Sequence, residues 1–180
     1  MEIKIYKKMT RKVAKYVAEL SVLMADSGEK ELEVFCIVNN LLKAREGYFF
    51  IVSDSHEKIG FGCFAVGLND SEFKQLQYFA VKSELRGRGL GKRALKTVLQ
   101  QEVSVSSGCG VACKIGLKSF YEELGFIITL NEGEHIAMRL SSAPLDEWNQ
   151  VVRITEVNRD EINKNIPLMK AEYGVNLEPV

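Results

Sequence analysis

The sequence has little of what marks a secreted or membrane protein. Its 180 residues include only four cysteines and three prolines. Four scattered cysteines are too few for the disulfide framework of a small secreted domain. No apolar run approaches the roughly 20 residues of a membrane-spanning helix, and the first ten residues contain no apolar signal-peptide core. We therefore expect a cytoplasmic protein that does not bind membranes.

An excess of charge of either sign is also lacking, because 24 basic residues balance 24 acidic ones. This balance gives no general attraction to nucleic acid, and the Arg-Gly stretch described below lacks the interleaved aromatics of a nucleic-acid contact. Cys109 and Cys113 have no second ligand pair at zinc spacing, so no metal site is predicted. The exception is local: residues 82–96 contain six basic side chains and only one acidic one, Glu84. One basic segment in a neutral protein indicates one anionic ligand.

Hydrophobic periodicity predicts an α/β domain with a mixed sheet. The predicted order is one strand, two helices, three strands, a helix, a short strand, a short helix and a hairpin. The first helix follows Thr10, a plausible N-cap, and the second ends before Gly47. The stretch "SVSSGCG", residues 104–110, is predicted to be a loop. The first strand is predicted over residues 2–7 and the second helix over 29–45. The last of the three consecutive strands, which is rich in aromatic and β-branched residues, is predicted over 74–81, and the short helix over 117–124.

The most informative stretch is "LRGRGLGKRAL", residues 85–95, in which three glycines alternate with arginine and leucine before an amphipathic helix. Glycine lets backbone amides approach a ligand without an intervening Cβ, and the helix dipole attracts negative charge to the same point. The loop fits neither a Walker loop, since Arg93 follows Lys92, nor the dinucleotide fingerprint, since its glycines strictly alternate. It does fit R-x-x-G-x-G, with Arg86, Gly89 and Gly91. We interpret it as a phosphate-binding loop.

A second motif, "SFYEELGF" at residues 119–126, follows about thirty residues later. Together, "FAVKSELRGRGLG" and "FYEELGF" resemble the two most typical stretches of the GNAT superfamily, the acyl-coenzyme A-dependent N-acetyltransferases, in order and spacing. The resemblance is strongest over residues 74–126, and the order of elements extends it over 1–141. It implies a mostly antiparallel central sheet flanked by helices, in a domain of residues 1–141. Residues 142–180 are then an accessory segment that packs on this domain or on the mate in a homodimer.

The resemblance also implies a site. Amides of the loop would hold the pyrophosphate of coenzyme A, and the preceding strand would pair its backbone with the pantetheine arm and polarise the thioester carbonyl. Tyr121 aligns with the tyrosine that often acts as general acid. Arg86 is given a phosphate or helix-start role, and Lys92 is either solvated or directed at the adenosine 3′-phosphate. The predicted cofactor-binding residues are Phe79, Ala80, Val81, Arg86, Gly87, Arg88, Gly89, Leu90, Gly91 and Lys92.

Two positions depart from the family pattern. Gln75 stands where some relatives have a glutamate base, which leaves the general base unassigned. Lys114 stands where relatives often carry an asparagine. The predicted function is transfer of an acetyl group from acetyl-coenzyme A to a primary amine of a small molecule or peptide, by direct attack and without a metal. The alternative is a catalytically silent module that binds acetyl-coenzyme A as a sensor or partner. The identity of the acceptor amine is not readable from the sequence.

Overall fold

The computed structural model describes residues 1–66, 73–103 and 108–140, together with 167 and 170–175. Among the described residues up to 140, seven strands and four α-helices follow one another in the predicted order. The strands are β1 (Glu2–Tyr6), β2 (Gly47–Asp54), β3 (Glu57–Val66), β4 (Lys74–Val81), β5 (Cys109–Lys114), β6 (Ile127–Glu132) and β7 (His135–Leu140). The helices are α1 (Arg11–Ala25), α2 (Glu31–Ala44), α3 (Leu90–Glu102) and α4 (Lys118–Glu122).

The strands form one seven-stranded sheet in the order β1-β2-β3-β4-β5-β7-β6. All neighbouring strands pair antiparallel except β4 and β5, which run parallel. The sheet is therefore mixed and mostly antiparallel, as predicted. The parallel pair needs a crossover connection, and α3 supplies it. Because the crossover begins at the C-terminal end of β4, the glycine loop lies at that end of the strand, directly before α3.

Each face of the sheet carries its own core. Helices α1 and α2 pack on one face through Val17, Leu20 and Phe35, against Phe49 and Phe61 of the strands. Helices α3 and α4 cover the other face, where their buried residues contact the strand side chains that point to that face. These are Ala94, Leu95, Val98, Leu99 and Tyr121 of the helices and Phe50, Phe64, Leu76 and Val111 of the strands. The period-2 alternation of the strands thus builds two apolar layers.

Helix ends follow their local sequence, with one correction. Thr10 is the N-cap of α1, and its hydroxyl accepts a hydrogen bond from the Val13 amide at 3.2 Å. The second helix was predicted to end before a terminating Gly47, but Arg45 adopts the left-handed conformation with φ 63°. Gly47 opens β2, where an added Cβ would lie 2.4 Å from the Phe64 carbonyl oxygen. Close strand pairing, not helix termination, requires that glycine.

The predicted loop of residues 104–110 is wrong at its end. Cys109 and Gly110 belong to β5, where they pair with Lys74 and Gln75 of β4. Serine and glycine content favoured a loop, but the buried Cys109 lies in the core under α3. Tertiary pairing overrides the weak local preference here. Residues 104–107 lie outside the described residues.

A short C-terminal stretch contacts α2. Tyr173 is 5% exposed, its ring lies 6.2 Å from that of Phe35, and its hydroxyl donates to Asn39 Oδ1 at 3.2 Å. Glu172 pairs with Lys43 at 3.4 Å. The predicted boundary at residue 141 stays a prediction, because residues 141–166 fall outside the described residues. In the part of the chain that the structure describes, no helix is long and apolar enough to span a membrane.

Candidate active site

A split between β4 and β5 opens the sheet at its centre. The two strands pair only over Lys74–Leu76 with Cys109–Val111. Directly after this, β4 contains a bulge: Cys63 pairs with Tyr78 and Phe64 with Leu76, so Gln77 is the extra residue. A bulge disrupts the ladder and bends its strand. The ladder between β4 and β5 therefore ends where β4 bends, and a gap opens beside residues 77–81.

This gap is a cleft of about 130 Å³ with walls from both halves of the chain. One wall comes from the end of α1 and the turn after it, and the other from the two diverging strands and α4. The side-chain oxygen of Gln77 is buried in this region without a hydrogen-bond partner. The cleft is lined by Met24, Ser27, Glu29, Leu76, Gln77, Tyr78, Phe79, Val111, Ala112, Cys113, Lys114, Leu117 and Tyr121.

Tyr121 reaches the cleft from α4. It is 6% exposed, and its ring makes edge contacts with Phe120 at 5.1 Å and Phe126 at 5.4 Å. The Phe126 amide donates to the Tyr121 carbonyl at 3.1 Å across a turn in which Gly125 has φ 92°. Burial raises the pKa of Tyr121 above its usual value of 10. The cleft thus contains a phenol that stays protonated at neutral and mildly alkaline pH.

The glycine loop gives α3 an open N-terminus. Gly87 and Gly89 have φ 74° and 69°, and an added Cβ at either would meet nothing within 4 Å. Gly89 is the N-cap of α3, so no side chain at this position caps the helix amides, and the first turn contains no acidic residue. The first-turn amides of a helix have no partner within the helix, and the dipole makes this end positive. Gly91 lies against Val81, the last residue of β4, so this positive end lies two residues along β4 from Phe79, which lines the cleft.

Arg86 does not extend freely toward the loop's open side. Its Nε donates to the Val81 carbonyl at 3.0 Å, and its Nη2 lies 3.0 Å from the Asp26 carboxylate and 3.4 Å from the Leu23 carbonyl. Its backbone amide donates to the Ser83 carbonyl at 3.2 Å. The side chain thus joins the loop to the C-terminal end of α1. Its predicted phosphate contact requires these bonds to change.

The other predicted cofactor-binding residues lie on β4, in the glycine loop and in the first turn of α3. Phe79 lines the cleft and stacks on Phe50 at 6.2 Å, while Ala80 and Val81 are 8% exposed. Arg88 is exposed, and Lys92 forms an ion pair with Glu123, just after α4. Gln75 pairs with Gly110 at the closed end of the split. Asp70 and Glu72, two carboxylates just upstream, lie outside the described residues.

Three residues that line the cleft were not among the predicted site residues. Glu29 lies in the turn between α1 and α2. The pKa of Tyr78 is raised mainly by burial and, to a smaller extent, by the nearby Glu29 carboxylate. Gln77 forms the bulge, and a polar residue within the apolar strand "KQLQYFAV" was the available signal. Lys114 crosses the opening, with its Nζ 2.6 Å from the Ser27 carbonyl oxygen. This contact joins residues 87 positions apart, which local sequence patterns cannot reveal.

Residues 45–128, which include the glycine loop, the split strands and Tyr121, match the Acetyltransferase (GNAT) domain. Over these residues the chain is similar to a GNAT acetyltransferase domain. The resemblance found in the sequence is thereby confirmed, together with the fold and the acyltransferase class. No curated protein matches the sequence significantly.

Solved structures place the GNAT domain among proteins of the same fold. A Bacteroides thetaiotaomicron protein whose name places it in the GNAT family is 16% identical, covers 98% of this chain and 100% of its own, and gives a TM-score of 0.60. The PaiA N-acetyltransferase of Thermoplasma acidophilum, in complex with coenzyme A, is 17% identical over 78% of this chain and 99% of its own, with a TM-score of 0.52. A variant of the Vibrio cholerae spermidine N-acetyltransferase SpeG is 12% identical over 78% and 94%, with a TM-score of 0.58. At these identities the likeness is one of fold.

Proposed function

We propose that this GNAT domain is an N-acetyltransferase that moves the acetyl group of acetyl-coenzyme A to a primary amine by direct attack. The observation that carries the proposal is a convergence around the C-terminal half of β4. The open N-terminus of α3, the split between β4 and β5, and the buried phenol of Tyr121 adjoin one another there. Each supplies one requirement of the reaction: anion binding, an extended slot for the thioester arm, and a proton donor.

The pyrophosphate of the co-substrate is assigned to the loop amides of Gly87–Lys92. Two left-handed glycines and an uncapped helix start favour an anion there, since no Cβ separates the amides from a ligand. The known complex of a same-fold neighbour, PaiA, with coenzyme A supports this class of co-substrate. Arg88 is exposed and free to approach the phosphates, and Arg86 would contribute only if its bonds to α1 and Val81 rearrange.

The pantetheine arm is assigned to the gap beside residues 77–81. The pairing of β4 with β5 ends at Leu76, and an extended amide chain placed in the gap would continue to pair with β4 beyond that residue. Its amides would satisfy the N–H and C=O groups that face the gap, as a pairing strand would. A backbone N–H of β4 beyond the bulge would then donate to the thioester carbonyl and stabilise the charge that develops on its oxygen.

Proton transfers complete the reaction. The amine attacks the carbonyl carbon, the C–N bond forms, the C–S bond breaks, and the leaving thiolate takes a proton from Tyr121. A thiolate whose conjugate acid has a pKa of roughly 8.5 is a good leaving group, so donation by one phenol is sufficient assistance. Strand β4 has glutamine at position 75 and contains no carboxylate that could act as the general base. We therefore assign deprotonation of the amine to Glu29 or to water.

The acceptor is assigned to the side of the cleft formed by α1, α2 and the turn between them. Asp26, Glu29, Glu31 and Glu33 make this region acidic, which favours a cationic amine. The fold neighbour SpeG is named for spermidine, which is itself a primary amine. These observations support an amine acceptor as a class, and small molecules and peptides both belong to that class.

The experiment that tests the proposal is release of free thiol from acetyl-coenzyme A in the presence of a panel of amines. The panel includes polyamines, amino acids, aminoglycosides and lysine peptides, each measured with and without the protein. We expect thiol release that depends on at least one amine and saturates with its concentration. Tight binding of coenzyme A without thiol release for any amine would favour the silent binding module instead.

A further inference from the structure

Lys114 is a primary amine that the chain itself places at the reaction cleft. Along β5, Cys109, Val111 and Cys113 point into the core beside Tyr121, whereas Ala112 and Lys114 are exposed on the opposite face. That opposite face is the one on which α1 and α2 pack. The proposed acceptor approaches the thioester from this same side. Lys114 therefore enters the cleft from the direction that an acceptor amine would take.

The amine is held above the gap between the strands. Its Nζ donates to the Ser27 carbonyl at 2.6 Å, so the side chain spans from the β5 wall of the cleft to the α1 wall. Gly28, with φ 89°, allows this approach, because an added Cβ would lie 3.3 Å from Nζ. Among the described residues Lys114 forms no ion pair that would fix it there, and its flexible four-carbon stem allows Nζ to rotate toward the gap.

We infer that the protein acetylates its own Lys114 when acetyl-coenzyme A is bound, an inference that rests on the proposed function. The Lys114 amine, once deprotonated, attacks the thioester carbonyl carbon. The C–N bond forms, the C–S bond breaks, and Tyr121 donates its phenolic proton to the thiolate, after which solvent reprotonates Tyr121. The products are Nε-acetyl-Lys114 and free coenzyme A, one of each per chain. An amine already tethered beside the carbonyl has a high effective concentration, which favours the reaction over that of other lysines.

The proton released by Lys114 has an acceptor in the same cleft. Glu29 lines the wall that Nζ touches and follows Ser27 by two residues. Acetylation replaces an ammonium at the acceptor side by a neutral amide. This removes a positive charge from the path of a cationic acceptor, so acetylated protein should bind such an acceptor more tightly than unmodified protein.

Lys118 provides a matched control. It lies four residues from Lys114 and is also accessible, but it is on α4, pairs with Glu122 at 3.6 Å and does not line the cleft. Spontaneous acetylation of exposed lysines would modify Lys118 and Lys114 to comparable extents. Acetylation directed by the cleft would modify Lys114 alone.

The test is incubation of the full chain with acetyl-coenzyme A and no added amine, followed by peptide mass spectrometry and a thiol assay. We expect one acetyl group at Lys114, an equal amount of free thiol, and a Lys114 rate at least about tenfold above that of Lys118. Lys114→Arg, which keeps the cation, should abolish thiol release under these conditions, and Tyr121→Phe should slow it about tenfold.

Further results separate this inference from the proposed function. If the protein releases thiol with an amine from the panel, but Lys114 stays unmodified or reacts no faster than Lys118, the inference is overturned and the proposed function stands. If coenzyme A binds but neither Lys114 nor any amine of the panel gives free thiol, both are overturned. If coenzyme A does not bind at all, both are overturned.

Discussion

Tyr121→Phe is expected to lower the rate of amine-dependent thiol release at least about tenfold, a lower bound that is smaller than the roughly 10²–10⁴-fold that general acid–base catalysis usually contributes. The substitution removes one hydroxyl and keeps the ring that contacts Phe120 and Phe126. Because burial raises the pKa of Tyr121, the phenol remains protonated as the pH rises from 7 to 9. The ratio of wild-type to variant rates should therefore stay constant over this range, measured in the thiol assay at saturating substrates.

Tyr48→Phe is the matched control for this prediction. Tyr48 is also 6% exposed and also has its pKa raised, first by burial, but it lies on β2 and does not line the cleft. Its replacement should leave the rate within about twofold of wild type, since only a donor at the reacting atoms contributes to the barrier in this way. Equal losses in the two variants, or none in Tyr121→Phe, would remove Tyr121 from the mechanism.

Phe50→Ala is expected to lower the free energy of unfolding by about 3–5 kcal/mol. Phe50 is 0% exposed, and its ring lies 5.3 Å from that of Phe64 and 6.2 Å from that of Phe79. Its ring tip fills the space over Gly62, where an added Cβ would lie 2.3 Å from Phe50 Cζ. Deleting the ring leaves a cavity under the strand that forms one wall of the cleft. Urea unfolding followed by circular dichroism measures the change.

Val22→Ala is the control for Phe50→Ala. Val22 lies on α1 and is 50% exposed, so its truncation should change the unfolding free energy by less than about 0.5 kcal/mol. If Phe50→Ala cost less than about 1 kcal/mol, the aromatic layer on that face of the sheet would not be packed as described. A loss of acetyl-coenzyme A binding in parallel with stability would link this layer to the cleft through Phe79.

Local features were predictable from the sequence. The Thr10 cap of α1, the bounds of β4 at 74–81 and the glycine loop before α3 all depend on residues close in the chain. Periodicity and turn chemistry report on such features directly. The prediction was weakest where local preference and tertiary pairing disagree. Cys109 and Gly110 read as loop residues and became part of β5 because Lys74 and Gln75 pair with them.

The shape of the candidate site was not predictable, because it depends on long-range contacts. The bulge at Gln77 requires a mismatch in register with β3. The bond from Arg86 to Asp26 and the bond from Lys114 to Ser27 both end on the turn after α1, more than fifty positions away in the chain. The family motif assigned Arg86 to phosphate from its position alone. The contacts of its side chain with α1 follow from how the helix packs on the sheet.

The central claim is that the loop before α3 and the adjoining cleft bind an acyl-coenzyme A. Isothermal titration of the full chain with acetyl-coenzyme A tests this most directly, with Gly89→Ala and Gly133→Ala as a pair of variants. Both glycines have positive φ, 69° and 77°, and open space around an added Cβ, so both variants carry a similar backbone strain of about 1–2 kcal/mol. Only Gly89 adjoins the helix start, whereas Gly133 lies in the turn between β6 and β7.

The account predicts binding of one acetyl-coenzyme A per chain, with a Kd between about 1 μM and 1 mM, the range of common enzyme substrates. It further predicts that Gly89→Ala weakens binding at least about tenfold, because its Cβ stands between the amides and the phosphates. Gly133→Ala should bind as wild type does. No binding by the wild type at millimolar concentration, or equal binding by both variants, would contradict the account.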